Sequence, residues 1–203
     1  MTTILLEERF VVKAPIERVW DHLVDPRRVV ACVPGGELDE VVDERTFLGK
    51  VRIGIGPLTL DYRGRVRLEG VDAPGRRVTI VGEARERAGT DSARLTLESW
   101  ITPLAGGGAQ VVARTRVDVA GRVLELGRGV LGQLGHLVFQ DFASRVRAAL
   151  EAQAPGAVPP PGAAEPGPPP REDVLRAIPL VLRALGAWLA GALRGGGGPS
   201  AEG

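Results

Sequence analysis

Apolar and polar side chains alternate along most of the first 120 residues of this chain. In the clearest run, Leu58, Leu60, Tyr62, Gly64, Val66 and Leu68 share one side, and Thr59, Asp61, Arg63, Arg65, Arg67 and Glu69 share the other. A period of two over that length predicts a strand with one apolar and one solvated face. The pattern recurs: Val51, Ile53 and Ile55 oppose Lys50 and Arg52, and Leu95, Leu97 and Ser99 oppose Arg94, Thr96 and Glu98. Six strands are predicted in succession, over residues 37–43, 46–55, 58–71, 76–86, 93–102 and 109–120. Turn signals separate them at Asp43-Glu44, Gly56-Pro57, Ala73-Pro74-Gly75, Gly89-Thr90-Asp91 and Ala105-Gly106-Gly107-Gly108. Consecutive hairpins of this kind predict an antiparallel meander.

Ahead of the meander, residues 4–13 read as one more strand. Pro15 then opens a helix in which Ile16, Val19, Trp20 and Leu23 repeat at helical spacing, and Pro26 opens a second, short one that ends at Pro34-Gly35-Gly36. Residues 122–152 carry one long helical pattern, with Leu124, Leu131, Val138 and Phe142 on one side and Arg122, Gln133, His136, Gln140 and Arg147 on the other. The order β, α, α, six β, α predicts an α+β fold: a bent, antiparallel, seven-stranded sheet gripping a long C-terminal helix.

The apolar face of that sheet is short of bulk. The chain has four Phe, three Trp and one Tyr, and one of the tryptophans falls near the C-terminus. The long helix holds Gly127, Gly129, Gly132 and Gly135 in its first half, and Gly127 and Gly135 project toward the sheet on a helical wheel. Each glycine costs about 1 kcal/mol relative to alanine in a helix interior. Small residues there fit either an apolar cavity between sheet and helix or a close helix–sheet approach, and the cavity reading is carried forward. Its walls are then Val51 and Ile53, Leu60, Tyr62 and Val66, Leu95, Leu97 and Ser99, Thr115 and Val117 from the strands, with Gly127, Leu131, Gly135, Val138 and Phe142 from the helix. Tyr62, Ser99 and Thr115 are the inward groups able to hydrogen-bond a ligand carbonyl.

Composition narrows the chemistry. The chain has 203 residues and a formal net charge of +1, so no strong global field points to nucleic acid. Its basic residues are arginines except Lys13 and Lys50. Cys32 is the single cysteine, which excludes a disulfide framework, and His22 and His136 have no metal spacing. His136 falls on the solvated side of the helix pattern and reads as a surface residue. There is no GxSxG, no phosphate loop and no dinucleotide fingerprint, and the carboxylates sit mainly at outward strand positions. The chain reads as a binding protein with no catalytic residues, no metal and no cofactor of its own. The opening MTTILLEERF has no basic n-region and no long apolar run, so no signal peptide is expected, and the expected location is cytoplasmic.

Beyond the helix at 152 the composition changes. Residues 154–170 hold eight prolines among Gly and Ala, a stiff spacer able to reach roughly 50 Å at ~3.1 Å per residue. Residues 171–194 follow as an amphipathic helix pattern. Arg176, Arg183 and Arg194 point one way, and Leu175, Ile178, Val181, Leu182, Leu185, Trp188 and Leu189 face the other. Arg183 in the middle and Pro179 argue against a span, so the segment is expected to lie in a membrane surface, with Leu175, Ile178, Leu182, Leu185, Trp188 and Leu189 inserted. A fold-back onto the domain is the alternative. The expected organisation is a ligand-binding domain at 1–152, a linker at 153–170, a membrane-binding helix at 171–194 and a flexible Gly-rich tail at 195–203.

Local motifs add a resemblance. Ala14, Pro15, Val19, Trp20, Leu23, Asp25, Cys32, Val33, Pro34, Gly35 and Glu37 fall on an "AP…VW…L.D…..CIPG.E" pattern. That pattern resembles the opening of the CoxG family of carbon monoxide dehydrogenase subunits, with Val33 in place of Ile. Gly49 to Leu68 is similar to the family's "G…KVGP….F.G" region, with Leu60 and Tyr62 near its aromatic position. The resemblance covers residues 4–150 and implies the START-like (SRPBCC) helix-grip fold. It further implies a protein that holds a respiratory quinone, menaquinone for instance, in its cavity. Such a protein links a molybdenum hydroxylase such as CO dehydrogenase to the inner face of the cytoplasmic membrane for electron transfer. Two rival expectations stand beside it: a recruitment factor with no carried ligand, and a cyclase-type enzyme of the same fold.

Overall fold

The computed structural model describes residues 1–55, 58–87, 89 and 91–152. In chain order the elements are β1 (Thr2–Val12), α1 (Ile16–Leu23), α2 (Pro26–Cys32), β2 (Gly36–Val41), β3 (Thr46–Ile55), β4 (Leu58–Asp72), β5 (Arg77–Glu86), β6 (Ser92–Pro103), β7 (Ala109–Ala120), a 3-10 turn (Arg122–Leu126) and α3 (Arg128–Glu151). The seven strands form one sheet in the order β1-β7-β6-β5-β4-β3-β2. The predicted α+β architecture, a seven-stranded antiparallel sheet with a long helix at its end, is the observed one. Residues 53–60 belong to a separate compact unit. Within it Ile53 is partly buried and Leu60 is buried.

The local reasons are those of the sequence. Pro15 stands at the N-cap of α1, and its carbonyl accepts from Val19 N at 3.1 Å. Asp25 caps α2: its carboxylate accepts from Arg27 N at 2.9 Å and Arg28 N at 3.3 Å, while Pro26 fills the first helical position. The chain then turns at Gly35, whose φ is +68°. A Cβ there would come within 2.0 Å of the Arg52 carbonyl oxygen, and Gly35 O accepts from Arg52 N at 3.0 Å. The corner is therefore docked on β3 by backbone alone, which requires glycine. Register shifts at Leu38/Glu40 and Leu68/Gly70 place bulges in β2 and β4, and bulges bend a sheet.

One helix is shorter than its sequence pattern. The pattern over 122–152 breaks at Gly127, which has φ +79° and separates the 3-10 turn from α3. Glycine tolerates that conformation at little cost, so it ends one element and begins another.

The core lies at one end of the sheet. Phe10, Val12, Ala14, Val19, Trp20, Cys32, Ile101, Ala109, Val111, Ala143, Val146 and Leu150 form a buried cluster, with Ile16, Leu23, Val24, Phe139 and Phe142 against it. Phe10 meets Phe139 and Phe142 edge-on, with ring centroids 5.7 and 6.3 Å apart. The C-terminal half of α3 is thereby fixed to β1, α1 and α2.

Candidate functional site

Strand register places the inward residues in rows that cross the sheet. One row runs Val66, Gly82, Leu95, Val117, Ile4, and the next runs Leu68, Ile80, Leu97, Thr115, Leu6. A third, Gly64, Ala84, Ala93, Val119, Thr2, is made of small side chains at its β4–β6 end. These rows lie away from the core cluster. Leu95, Leu97, Thr115 and Val117 are only partly buried, and Val66 is 38% exposed although it points inward. The inner face is thus apolar and accessible over this half, and packed over the other. Val51 and Val138 are likewise partly buried, and Leu131 is buried at 7% exposure.

Two of the three expected hydroxyls on this face have no hydrogen-bond partner among the described residues. Thr115 stands in the second row between Leu97 and Leu6. Tyr62 is 8% exposed and pairs across the ladder with Glu86. Burial pushes the Tyr62 phenol up to about 12, and the carboxylates of Asp91 and Glu86 push it the same way. It is therefore a neutral donor throughout the physiological range. The third candidate, Ser99, is already committed: its hydroxyl donates to Val112 O at 3.0 Å.

Several expected site residues have other roles. Gly135 leaves no free space toward β1: a Cβ there would come within 2.5 Å of Leu6 Cδ1. It permits close helix–sheet approach. Gly127 is exposed, outside α3, with nothing within 4 Å of its Cβ position. Phe142 belongs to the aromatic group at the core. Ile53 and Leu60 fall in the separate unit of residues 53–60. Leu175, Ile178, Leu182, Leu185, Trp188 and Leu189, with the linker and tail, lie outside the described residues. Among the described residues no helix is long and apolar enough to cross a membrane, and no group of His, Cys, Asp or Glu could hold a metal.

The structure also shows polar groups that the pattern misplaced. His136 is not a free surface residue. Its Nδ1 lies 2.7 Å from Glu8 Oε1 and its Nε2 lies 2.7 Å from the Gln140 side-chain nitrogen. Glu8 points inward from β1, opposite Ala113, with its side chain 18% exposed. The strict alternation of β1, with Leu6 and Phe10 on the same side, was the signal for it. Asp91, 6% exposed, accepts from Arg122 N and so ties the β5–β6 turn to the start of the 3-10 turn. Cys32 and His22 are both buried, Sγ to Nε2 3.5 Å. Burial raises the thiol above its ordinary value, against the pull of Arg145, and lowers the imidazole, helped by Arg28 and opposed by Asp25. Both are held neutral, which suits packing and not nucleophilic chemistry.

Solved structures share this architecture. A conserved protein from Geobacillus kaustophilus matches with a TM-score of 0.67 at 20% identity, over 73% of this chain and 95% of that one. The Zhui aromatase/cyclase from Streptomyces sp. R1128 matches with a TM-score of 0.58 at 15% identity, over 77% and 98%. A START superfamily protein from Mycobacterium smegmatis matches with a TM-score of 0.52 at 12% identity, over 72% and 97%. At these identities the likeness shows the START-like fold alone. Among curated proteins none matches this chain. The family model for CoxG, a carbon monoxide dehydrogenase subunit, matches residues 9–151, which takes in the Cys-Val-Pro-Gly corner, the sheet and α3, and the chain belongs to that family.

Proposed function

We propose that this chain is a hydrophobic-ligand carrier serving a carbon monoxide dehydrogenase-type molybdenum hydroxylase, and that its ligand is a respiratory quinone such as menaquinone. The observation that carries this reading is the accessible apolar half of the inner face, with the hydroxyls of Tyr62 and Thr115, which have no partner among the described residues, at its edge and centre. A quinone presents two carbonyl acceptors on a flat ring and an isoprenoid chain. Two neutral donors and rows of Val and Leu match those parts. The protein's share is solvation and orientation; the electrons travel on the quinone, and no residue of the chain acts catalytically.

In this reading the 171–194 segment lies on the inner face of the cell membrane, and the 153–170 spacer lets the domain reach between bilayer and enzyme. The test is solvent extraction and mass spectrometry of the purified full chain, before and after incubation with membranes. Near-stoichiometric quinone, lost in Val66→Trp with the fold retained, supports the carrier reading. An empty extract in both cases refutes it and leaves recruitment of the hydroxylase as the function.

A further inference from the structure

The outward face of the sheet divides into a neutralised half and an unneutralised one. On the β7 side the arginines are engaged: Arg114 pairs with Glu7 at 2.9 Å and Arg116 with Asp118 at 3.0 Å. On the β4–β5 side they are not. Arg63 and Arg85 stand directly opposite each other in the ladder, and neither makes a hydrogen bond or ion pair among the described residues. Arg65, two positions along, is equally unpartnered, and its row continues through Glu83 to Arg94. Two nearby carboxylates pair with other arginines: Asp61 with Arg52 at 2.8 Å, Arg63 and Arg87 acting on its charge only from farther off, and Glu83 with Arg94 at 3.3 Å. Arg63, Arg65, Arg85 and the Glu83–Arg94 pair, with Met1, line an open groove of about 470 Å³. Like charges facing each other across a ladder oppose folding. No ion pair among the described residues offsets them, and the formal charge of the whole chain is only +1.

We infer that this arginine groove is the docking surface for an acidic face of a partner protein, the hydroxylase of the proposed function. The inference rests on that reading for the partner's identity alone. Guanidinium forks on adjacent outward positions of a strand stand about 7 Å apart on a rigid sheet, a spacing suited to carboxylates fixed on a folded protein. A lipid surface is a poorer match. Peripheral membrane binding draws on large apolar side chains that insert, and Met1 is the one such side chain lining the groove, beside the small Ala84 and Ala93. The attraction across such a surface governs encounter and register, and it weakens with salt.

The test uses the full chain and purified carbon monoxide dehydrogenase from the same organism in a surface-binding assay between low and high salt. The parent chain binds with an affinity that falls with salt. Arg63→Glu/Arg85→Glu weakens binding by about tenfold or more, while Arg114→Glu/Arg116→Glu, which breaks pairs on the other half, changes it by less than about threefold. Phosphatidylglycerol vesicles bind all three chains alike. Absence of binding by the parent, equal loss in both variants, or loss of vesicle binding confined to the Arg63/Arg85 variant would overturn the inference. Quinone content, measured on the same preparations, reports on the carrier reading separately, so either idea can fail alone.

Discussion

Gly135 of α3 faces Leu6 of β1 so closely that a Cβ would lie 2.5 Å from the Leu6 Cδ1 methyl. The clashing atom is the far end of a flexible side chain. Gly135→Ala is therefore expected to stay within about 1 kcal/mol of the parent, since helix propensity offsets a small Leu6 shift. Gly135→Leu overpacks the same spot and lowers stability by about 1–3 kcal/mol. Urea unfolding followed by circular dichroism separates the two. Equal stability for the Leu variant would mean that α3 and β1 can part there.

Gly35 is less forgiving. Its φ of +68° and the 2.0 Å approach of any Cβ to Arg52 O involve backbone on both sides. Gly35→Ala is expected to lose about 3 kcal/mol or more, in the same unfolding assay, because neither strand nor corner can yield without breaking their hydrogen bond.

Tyr62 is the chain's single tyrosine, so its ionisation can be followed by ultraviolet absorbance without interference. The expected midpoint is about 12 in the folded protein. The folded value lies above the unfolded one, near 10. Stability from this group is thus full below pH ~10 and is lost as pH rises through the folded value. A midpoint near 10 in the folded state would place the phenol in open water.

Tyr62→Phe and Thr115→Val each remove one unpartnered hydroxyl while keeping shape. Each is expected to weaken retention of a bound quinone by about three- to tenfold, the effect of one hydrogen bond. Thermal stability of the empty protein should barely move, because no group among the described residues loses a partner. Unchanged retention in both variants would remove these hydroxyls from the site.

Cys32 should be inert. Burial against His22 holds the thiol protonated. A disulfide reagent at neutral pH is expected to react slowly with the native chain and with one equivalent in denaturant. Fast native reaction would show that the α2 corner opens.

The strands were legible because most of them alternate over several residues, although β1 carries Leu5 and Val11 on its exposed side. β4 reads Leu60, Tyr62, Gly64, Val66 against Asp61, Arg63, Arg65, and the structure keeps that division. The helix starts at Pro15 and Pro26 were legible because proline fixes φ and tolerates the first helical turn. Less of the candidate site could be read. Helical wheel geometry places Gly135 on the sheet side but says nothing of what stands opposite, and only the β1–β7 pairing brings Leu6 there. Gly127 sits on the same wheel yet is a break, because periodicity cannot register one residue at positive φ.

What the sequence determined by itself is the set of elements and the face each one buries, since these follow from local periodicity and from glycine and proline. Only the tertiary structure decided which half of the inner face is filled by Phe10, Phe139 and Phe142 and which half stays accessible around Val66 and Thr115. It also decided that His136 meets Glu8, and that Arg114 and Arg116 find carboxylates while Arg63 and Arg85 find each other. The Arg116 pair with Asp118, two positions along one strand, is the local exception. The other contacts depend on strand order and register, and no local pattern encodes either.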